Sequence, residues 1–339
     1  MVLDPIDVVI TWVDPSDTVW QESRLLCLGQ PQGSIDATAR RYRDMGTLRY
    51  LLRGIEMYMP WVNKIFFVTG FHQRPCWLVD DHPRLSVVDH SDFIPTRWLP
   101  TFNSHTIELN FHRIPGLGER FVYFNDDMFV LRSRVPRDFF RNGLPCDQAS
   151  LWRALAFSYG DTAPHVMVNT AAVINQHFSV SDVLREHWRK WLSPRNSLAQ
   201  LVLTVGLSMV SRNQFPALYS HHHASSFLKS SFSEVWDAEP EILEFVCSHS
   251  FRSIEDVSPY VFRFWQMVTG RYSPYNVRAQ GRVFGVTSES IGAVVRTIKR
   301  REKALLCIND TSDPEIDDLF RQIRDAFSSV FPNPSSFEL

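Results

Sequence analysis

Four short runs in the first 130 residues limit what this chain can become. They are Ile6–Val13 (IDVVITWV), Lys64–Thr69 (KIFFVT), Arg84–Asp89 (RLSVVD) and Arg120–Phe124 (RFVYF). Each is rich in Val, Ile, Phe or Tyr, and the clearest are close to continuously apolar. Strands read this way when helices cover both faces of their sheet, as in parallel sheets. Helical spacing lies between them. Leu48, Leu51, Leu52 and Ile55 fall at i, i+3, i+4 and i+7, with Asp44 as the expected N-cap and Pro60 as the stop. A second helix is expected from about Asn103, with Ile107, Phe111 and Ile114 on one face. Strands alternating with helices predict an α/β fold built on a mainly parallel sheet.

From about 140 to 280 helical patterns take over. Val180, Val183, Leu184, Trp188 and Trp191 share one face, and Val261, Phe264, Trp265 and Val268 another, with Gly270 placed to end the second helix. A strand follows at Ala304–Ile308, then a helix opened by Asp313-Pro314 with Ile316, Leu319, Phe320, Ile323, Phe327 and Val330 on one face. Three parts are expected: an α/β part over 1–140, a largely helical insertion over 141–280, and a return to the α/β core over 281–339. The most apolar stretch, Leu198–Val210, is shorter than the roughly 20 residues a membrane span needs and is interrupted by Gln200, Thr204 and Ser208. It is expected to be a core segment, and no transmembrane segment is expected.

Composition excludes several classes. Apolar residues make up 44% and charged residues 21%, so the chain is globular, not disordered or coiled-coil. A net charge of −2 argues against nucleic acid as the main partner. The five scattered cysteines form no CxxC pair, which points away from a disulfide framework or zinc site and toward a reducing compartment. The N-terminal MVLDPIDVVITWVD has no basic n-region and no long apolar run, so no signal peptide is expected.

Three strands end in acidic residues: Phe121–Val130 (FVYFNDDMFV) at Asn125-Asp126-Asp127, the first strand at Asp14 and Asp17, and the late strand at Asn309-Asp310. Ligands of open α/β sheets bind at the C-terminal strand ends. Hard cations such as Mg²⁺ take oxygen ligands, and a diphosphate needs its charge neutralised. A hairpin turn would also suit Asn-Asp-Asp, and an Asp-Pro-Ser-Asp turn with helix-cap chemistry would suit the first loop. Arg40-Arg41-Tyr42-Arg43-Asp44 precedes a helix and could meet phosphate. Thr101-Phe102-Asn103-Ser104-His105 opens a helix on which Glu108 and His112 stand at i, i+4, read as a surface pair. His221-His222-His223 offers a base for an acceptor hydroxyl or a polar loop, and Arg252 a charge stabiliser or a salt-bridged helix entry.

Four blocks, in this order, resemble the Stealth family of sugar-1-phosphate transferases. They are IDVVITWVDPSD; the long block from RYRDMGTLRYLLRGIEMYMPWVNKIFFVT through LPTFNSHTIELNFHRIPGL to RFVYFNDDMFV; YSHHHASSF with FRSIEDVSPYVFRFWQMVTG; and CINDTSD with the final FPNPSSFEL. The family includes bacterial capsular and exopolysaccharide phosphotransferases and the catalytic core of the lysosomal-enzyme N-acetylglucosamine-1-phosphotransferase.

The resemblance implies a nucleotide-sugar-binding sheet of GT-A-like or Rossmann-like type with a largely helical insertion. It implies transfer of a hexose or N-acetylhexosamine 1-phosphate from a UDP-sugar donor to a hydroxyl of a glycan acceptor, with release of UMP. Carried over by position, Asp7, Trp12, Asp14, Asp17, Arg43, Asp44, Asn103, Ser104 and His105 belong to the substrate pocket. Asp126, Asp127 and Asp310 belong to a Mg²⁺ or Mn²⁺ site, and His222, Arg252 and Asp127 to catalysis. The chain departs from the family at His222-His223-Ala224, where His-x-Pro is common, so His221 and His223 stay open as the base. It also has Thr47 where an acidic residue often stands, a change that bears on donor preference. The alternatives are a metal-dependent glycosyltransferase releasing UDP, or an inactive carbohydrate-binding relative. A cytoplasmic place, at most peripheral to the inner membrane face, is expected, with a homo-oligomer left open.

Overall fold

A computed structural model describes residues 5–29, 35–38, 41–153 and 162–339; Arg40 lies outside the described residues. Four of the expected strands form Asp7–Thr11, Ile65–Thr69, Leu85–Asp89 and Arg120–Asn125. They lie parallel, and Ser225–Leu228 closes one edge antiparallel to Arg120–Asn125, in the order 85–89, 65–69, 7–11, 120–125, 225–228. The apolar runs are continuous because both faces are buried. Val8, Ile10, Ile65, Phe67, Val122 and Phe124 pack into one core cluster. Their neighbours Val9, Phe66, Val68, Phe121 and Tyr123 pack into the other, on the opposite face of the pleat.

The first cluster is closed by the helices Leu48–Tyr58, Ile291–Arg300 and Ile316–Val330. The second is closed by the helical stretch, with Val180, Val183 and Trp191, then Val261, Phe262 and Phe264. Because Ser225–Leu228 pairs with the main sheet, the helical stretch is built onto it along a shared core.

The placement of the second acidic turn follows from topology. The chain leaves the main sheet at Asn125, turns through Asp126 and Asp127, and enters a second sheet as Met128–Val130. There it pairs antiparallel with Leu305–Asn309, which in turn pairs parallel with Gly281–Gly285. The turn therefore bridges two sheets and is not a hairpin.

Four local expectations change. Thr47, not Asp44, occupies the N-cap of Leu48–Tyr58, and the Asp44 carboxylate accepts from Gly46 N (2.7 Å) and Trp12 Nε1 (3.3 Å). The helix after Asn103 stops at Leu109, and Phe111–Arg113 is a separate 3₁₀ turn. The last helix starts at Ile316 with Glu315 as N-cap, because the Asp313 carboxylate is taken up by Ser288 N and Glu315 N (both 2.9 Å). Leu198–Val210 is a helix, yet its fully buried residues are the polar Gln200 and Thr204, so it is not a core segment. Among the described residues no helix is long and apolar enough to cross a membrane. Gly270 does end Tyr260–Val268, in the left-handed conformation at φ +68°.

Candidate active site

A cleft of about 540 Å³ opens at the C-terminal ends of the main sheet, where it meets the end of Leu305–Asn309. Thr11 closes the first strand against it, and Asn125, Asp126, Asp127, Asn309 and Asp310 come from the two strand ends that the sheets bring together. The 42–47 segment supplies Tyr42, Arg43, Asp44 and Thr47, the short Ser104–Leu109 helix supplies Ser104 and Glu108, and the helical stretch supplies His222 and Arg252.

The acidic turn carries charge that the fold leaves unneutralised. Burial raises the Asp126 carboxyl well above its ordinary range, and the charges of Asp127 and Asp44 push it further. Burial also raises Asp127, while His222 and a Cys307 hydrogen bond pull it back. Asp127 Oδ1 is buried and has no hydrogen-bond partner among the described residues. A buried acceptor without a donor beside a second crowded carboxylate is what a divalent cation would relieve. The residues therefore fit such an ion, which would be anchored by Asp127 with the crowded Asp126 beside it. Asp310, the third expected ligand, already has a cation beside it. Asp310 accepts from Arg43 Nη1 at 3.1 Å, so part of its charge is already met. Among the described residues, the group whose ligand atoms all fall within 4.8 Å of one another is Asp127, His222 and Cys307, so only Asp127 of the three expected ligands belongs to it.

The three histidines separate cleanly. His221 is buried against Asp147 (Nε2–Oδ1 3.5 Å). Its pKa falls to about 4 through burial first and the Arg263 charge second. His223 is buried too, and burial takes it down to about 3. Only His222 lines the cleft. Tyr260 donates its single hydroxyl proton to His221 O (3.0 Å), so its oxygen is left to accept from His222 Nδ1 (3.3 Å). That network assigns the proton of neutral His222 to Nδ1. Nε2 is then a bare acceptor, 3.9 Å from Asp127 Oδ2.

Arg252 lies on the two-residue strand Arg252–Ser253, paired with Ile35–Asp36, and donates through Nη2 to Ser104 Oγ at 2.5 Å. Burial lowers its pKa, and the neighbouring Arg41 charge adds to that. Arg41 itself is held by Asp36, donating to Oδ2 through Nε at 2.9 Å and Nη2 at 2.5 Å, so its charge is largely met within the cleft. Glu108, read from sequence as a surface partner of His112, instead faces this group. Burial lifts its carboxyl to about 7, against the pull of Arg252, Ser104 and Tyr123. His112 packs on Phe232 and Trp236 with ring centroids 6.0 and 5.9 Å away. Ser104 and Glu108 are four apart on one helix, a spacing that could have shown their shared face. Arg41 and Tyr42 line the cleft from the basic run expected to meet phosphate, whereas Tyr123 and Tyr260 were unforeseen, because nothing local distinguishes them from core residues.

Five expected pocket residues are placed elsewhere. Asp7 lies at the far end of the first strand, accepting from Asn63 Nδ2 (2.8 Å) and Gly118 N (2.9 Å). Asp14 accepts from Ser16 N and Ser16 Oγ within its own turn, and Asp17 caps the Thr18–Leu28 helix by accepting from Trp20 N. Asn103 caps the Ser104–Leu109 helix and donates to Phe251 O (3.3 Å) and Asp256 Oδ2 (3.0 Å). His105 bonds Asp256 Oδ2 at 2.9 Å, and His249 bonds its other oxygen at 2.7 Å. These partners hold the Asp256 carboxyl well below the usual carboxylate range even though burial opposes them. Asn103 and His105 thus lock the Arg252 loop onto the helix carrying Ser104, without lining the cleft. Trp12 lines it but acts mainly by fixing Asp44 through its indole N–H.

Three family descriptions match: Stealth protein conserved region 1 over residues 4–30, region 2 over 41–147 and region 4 over 296–339. His222 and Arg252 fall between the matched regions. Full-length relatives span that interval. A capsular polysaccharide phosphotransferase of Streptococcus pneumoniae is 33% identical over 99% of this chain and 100% of its own length. An exopolysaccharide phosphotransferase of Lactiplantibacillus plantarum is 34% identical over 98% and 96%. A receptor polysaccharide phosphotransferase of Streptococcus gordonii is 32% identical over 99% and 100%. Among solved structures, a galactosyltransferase, LgtC, with donor and acceptor sugar analogues aligns over 97% of this chain and 96% of that one, at 8% identity and a TM-score of 0.42. So loose a structural likeness bears no functional weight.

Proposed function

The chain belongs to the Stealth family, and on that premise we propose that it is a sugar-1-phosphate transferase of polysaccharide synthesis. Its donor is a UDP-sugar and its acceptor a glycan hydroxyl, and the products are a phosphodiester and UMP. The relatives' phosphotransferase names support the class of reaction. The observation that carries the reading is the meeting, in one cleft, of a base with a bare nitrogen, a guanidinium group and an under-neutralised carboxylate pair.

In this reaction the acceptor oxygen attacks the phosphorus that bears the sugar. His222 Nε2 takes the hydroxyl proton, a step typically worth about 10²–10⁴-fold in rate. The bond from that phosphorus to the oxygen bridging the two phosphates breaks, and UMP leaves with the electron pair. The bond between the sugar and its phosphate stays intact. Tyr260 keeps His222 in the tautomer that can accept. Arg252, fixed by Ser104, faces the charge that builds on the phosphoryl oxygens. A Mg²⁺ or Mn²⁺ ion on Asp126 and Asp127 would supply positive charge to the diphosphate. Trp20, Tyr42 and Phe102 form an aromatic wall suited to a base or sugar face, with Trp20 5.2 Å from Tyr42 and 5.4 Å from Phe102 between centroids. The place of action is the cytoplasm, peripheral to the inner membrane face.

Phosphorus NMR of the product formed from UDP-N-acetylglucosamine, Mg²⁺ and an oligosaccharide acceptor tests this. A diester resonance on the glycan is expected. A phosphorus-free glycoside would replace the reading with that of an ordinary glycosyltransferase.

A further inference from the structure

The Leu198–Val210 helix is inside out. Its 13 residues include no charged side chain. Leu198, Val202, Val205 and Met209 recur at i, i+4, i+7 and i+11, the stripe that normally faces a core. Here that stripe faces outward: Leu198 is 77% exposed, Val202 66%, Met209 68% and the terminal Val210 80%. The face turned to the protein carries Gln200 and Thr204. Gln200 accepts from Gln148 Nε2, while Thr204 Oγ1 lies 3.0 Å from Ser150 Oγ and accepts from Leu151 N at 3.2 Å. Leu207 adds an apolar contact with the second core cluster, and the polar pairs fix the helix's rotation, so it cannot turn its stripe inward without breaking them.

The segment that carries the stripe is cationic. Between 180 and 214 there are five Lys and Arg against two Asp and Glu, in a chain whose net charge is −2. Arg189, Arg195 and Arg212 are exposed on the segments that flank the helix in sequence, and Trp188 and its neighbouring cap residue Leu192 are exposed at the end of the preceding Val180–Trp191 helix. An exposed apolar stripe flanked in sequence by exposed arginines and an exposed tryptophan is the makeup of a helix that lies in a lipid interface. A water-facing stripe of this kind is otherwise a cost with no return.

We propose that the Leu198–Val210 helix docks in the plane of an anionic lipid surface, with its aliphatic stripe entering the acyl boundary and Arg189, Arg195 and Arg212 meeting lipid phosphates. This gives the peripheral placement a defined surface. It rests on the helix alone, so it stands or falls apart from the transfer chemistry.

Vesicle flotation of the full chain tests it. Binding to vesicles of mixed phosphatidylcholine and phosphatidylglycerol is expected to exceed binding to pure phosphatidylcholine by about tenfold or more, since each basic group near an anionic surface adds to the attraction. Val202→Glu with Met209→Glu should abolish flotation at an unchanged Tm. If that pair lowers the Tm, the neutral pair Val202→Gln with Met209→Gln makes the same comparison. Arg189→Gln, Arg195→Gln and Arg212→Gln together should remove the preference for phosphatidylglycerol. Failure of the parent to float with anionic vesicles would overturn the proposal, as would undiminished flotation of the stripe variants. Sedimentation showing self-association that the stripe variants abolish, without lipid binding, would assign the face to a second copy of the chain instead.

Discussion

Two acidic strand ends look alike in the sequence and differ in the fold. Asp14 and Asp17 follow the first parallel strand, and Asp126 and Asp127 follow its neighbour. The first pair is satisfied where it stands: Asp14 takes Ser16 N at 2.8 Å and Ser16 Oγ at 2.6 Å, and Asp17 takes Trp20 N at 3.0 Å. The second pair stands at the turn from one sheet into another, where the backbone N–H groups of Asp126 and Asp127 reach the carboxylates but do not offset their burial. Asp127 Oδ1 is left without a donor among the described residues, and Asp126 is crowded by two like charges. An acidic strand end becomes a binding site when burial and neighbouring like charge outweigh the hydrogen bonds its own backbone supplies.

The sharpest way to break this contrast is to neutralise one member of each pair. Asp127→Asn is expected to cut transfer by about 10²–10³-fold or more, as for loss of a main electrostatic contact, and to leave the Tm unchanged or raised. Asp14→Asn should keep near-parental turnover. Initial rates and melting curves measured together decide it, and a fully active Asp127→Asn would show that the crowded pair is structural.

The histidines give the next largest difference. His222→Ala should cost about 10²–10⁴-fold in kcat, the worth of a base, with little loss of stability. His221→Ala should cost about 1–3 kcal/mol of stability, because it leaves buried Asp147 short of a partner. Denaturant titration and steady-state kinetics separate the two outcomes. Equal kinetic losses at both positions would mean that the bare Nε2 of His222 is not what matters.

Glu108 predicts a pH effect. Its folded pKa, about 7, lies above the ordinary glutamate value of 4.5. The folded state therefore holds the proton more tightly than the unfolded one. Stability is fully present below about pH 4.5 and is lost as pH rises to about 7. Glu108→Gln should remove that decline, worth about 1–3 kcal/mol at most, in melting curves recorded across this window. Parallel parent and variant curves would exclude it.

The smallest expected effect belongs to the satisfied loop. Asp17→Ala removes an N-cap, at a cost of about 1 kcal/mol, and should leave KM for the UDP-sugar unchanged. A raised KM would return Asp17 to the donor site.

The sheet was legible because apolar runs have one reading when both faces are buried, as the alternation of Val8, Val9 and Ile10 between two clusters shows. The acidic turn, Ser104 and the His222–Arg252 segment were legible through residue type and family resemblance. Asp7 and Asn103 were misplaced because buried polar residues that hold a fold together share the composition of those that hold a ligand. Glu108 was hidden because the break at Asn110 turns His112 away, which spacing alone does not reveal. The outward stripe of Leu198–Val210 was misread because apolar periodicity shows that a face exists, not which way it points.

The central claim is that bond cleavage occurs between the two phosphates and not at the sugar. A UDP-sugar labelled at the phosphorus attached to the sugar, incubated with Mg²⁺, acceptor and the full chain, tests it directly. The label is expected in the glycan, with unlabelled UMP as the nucleotide product. Recovery of the label in UDP, with an unlabelled glycan, would contradict it.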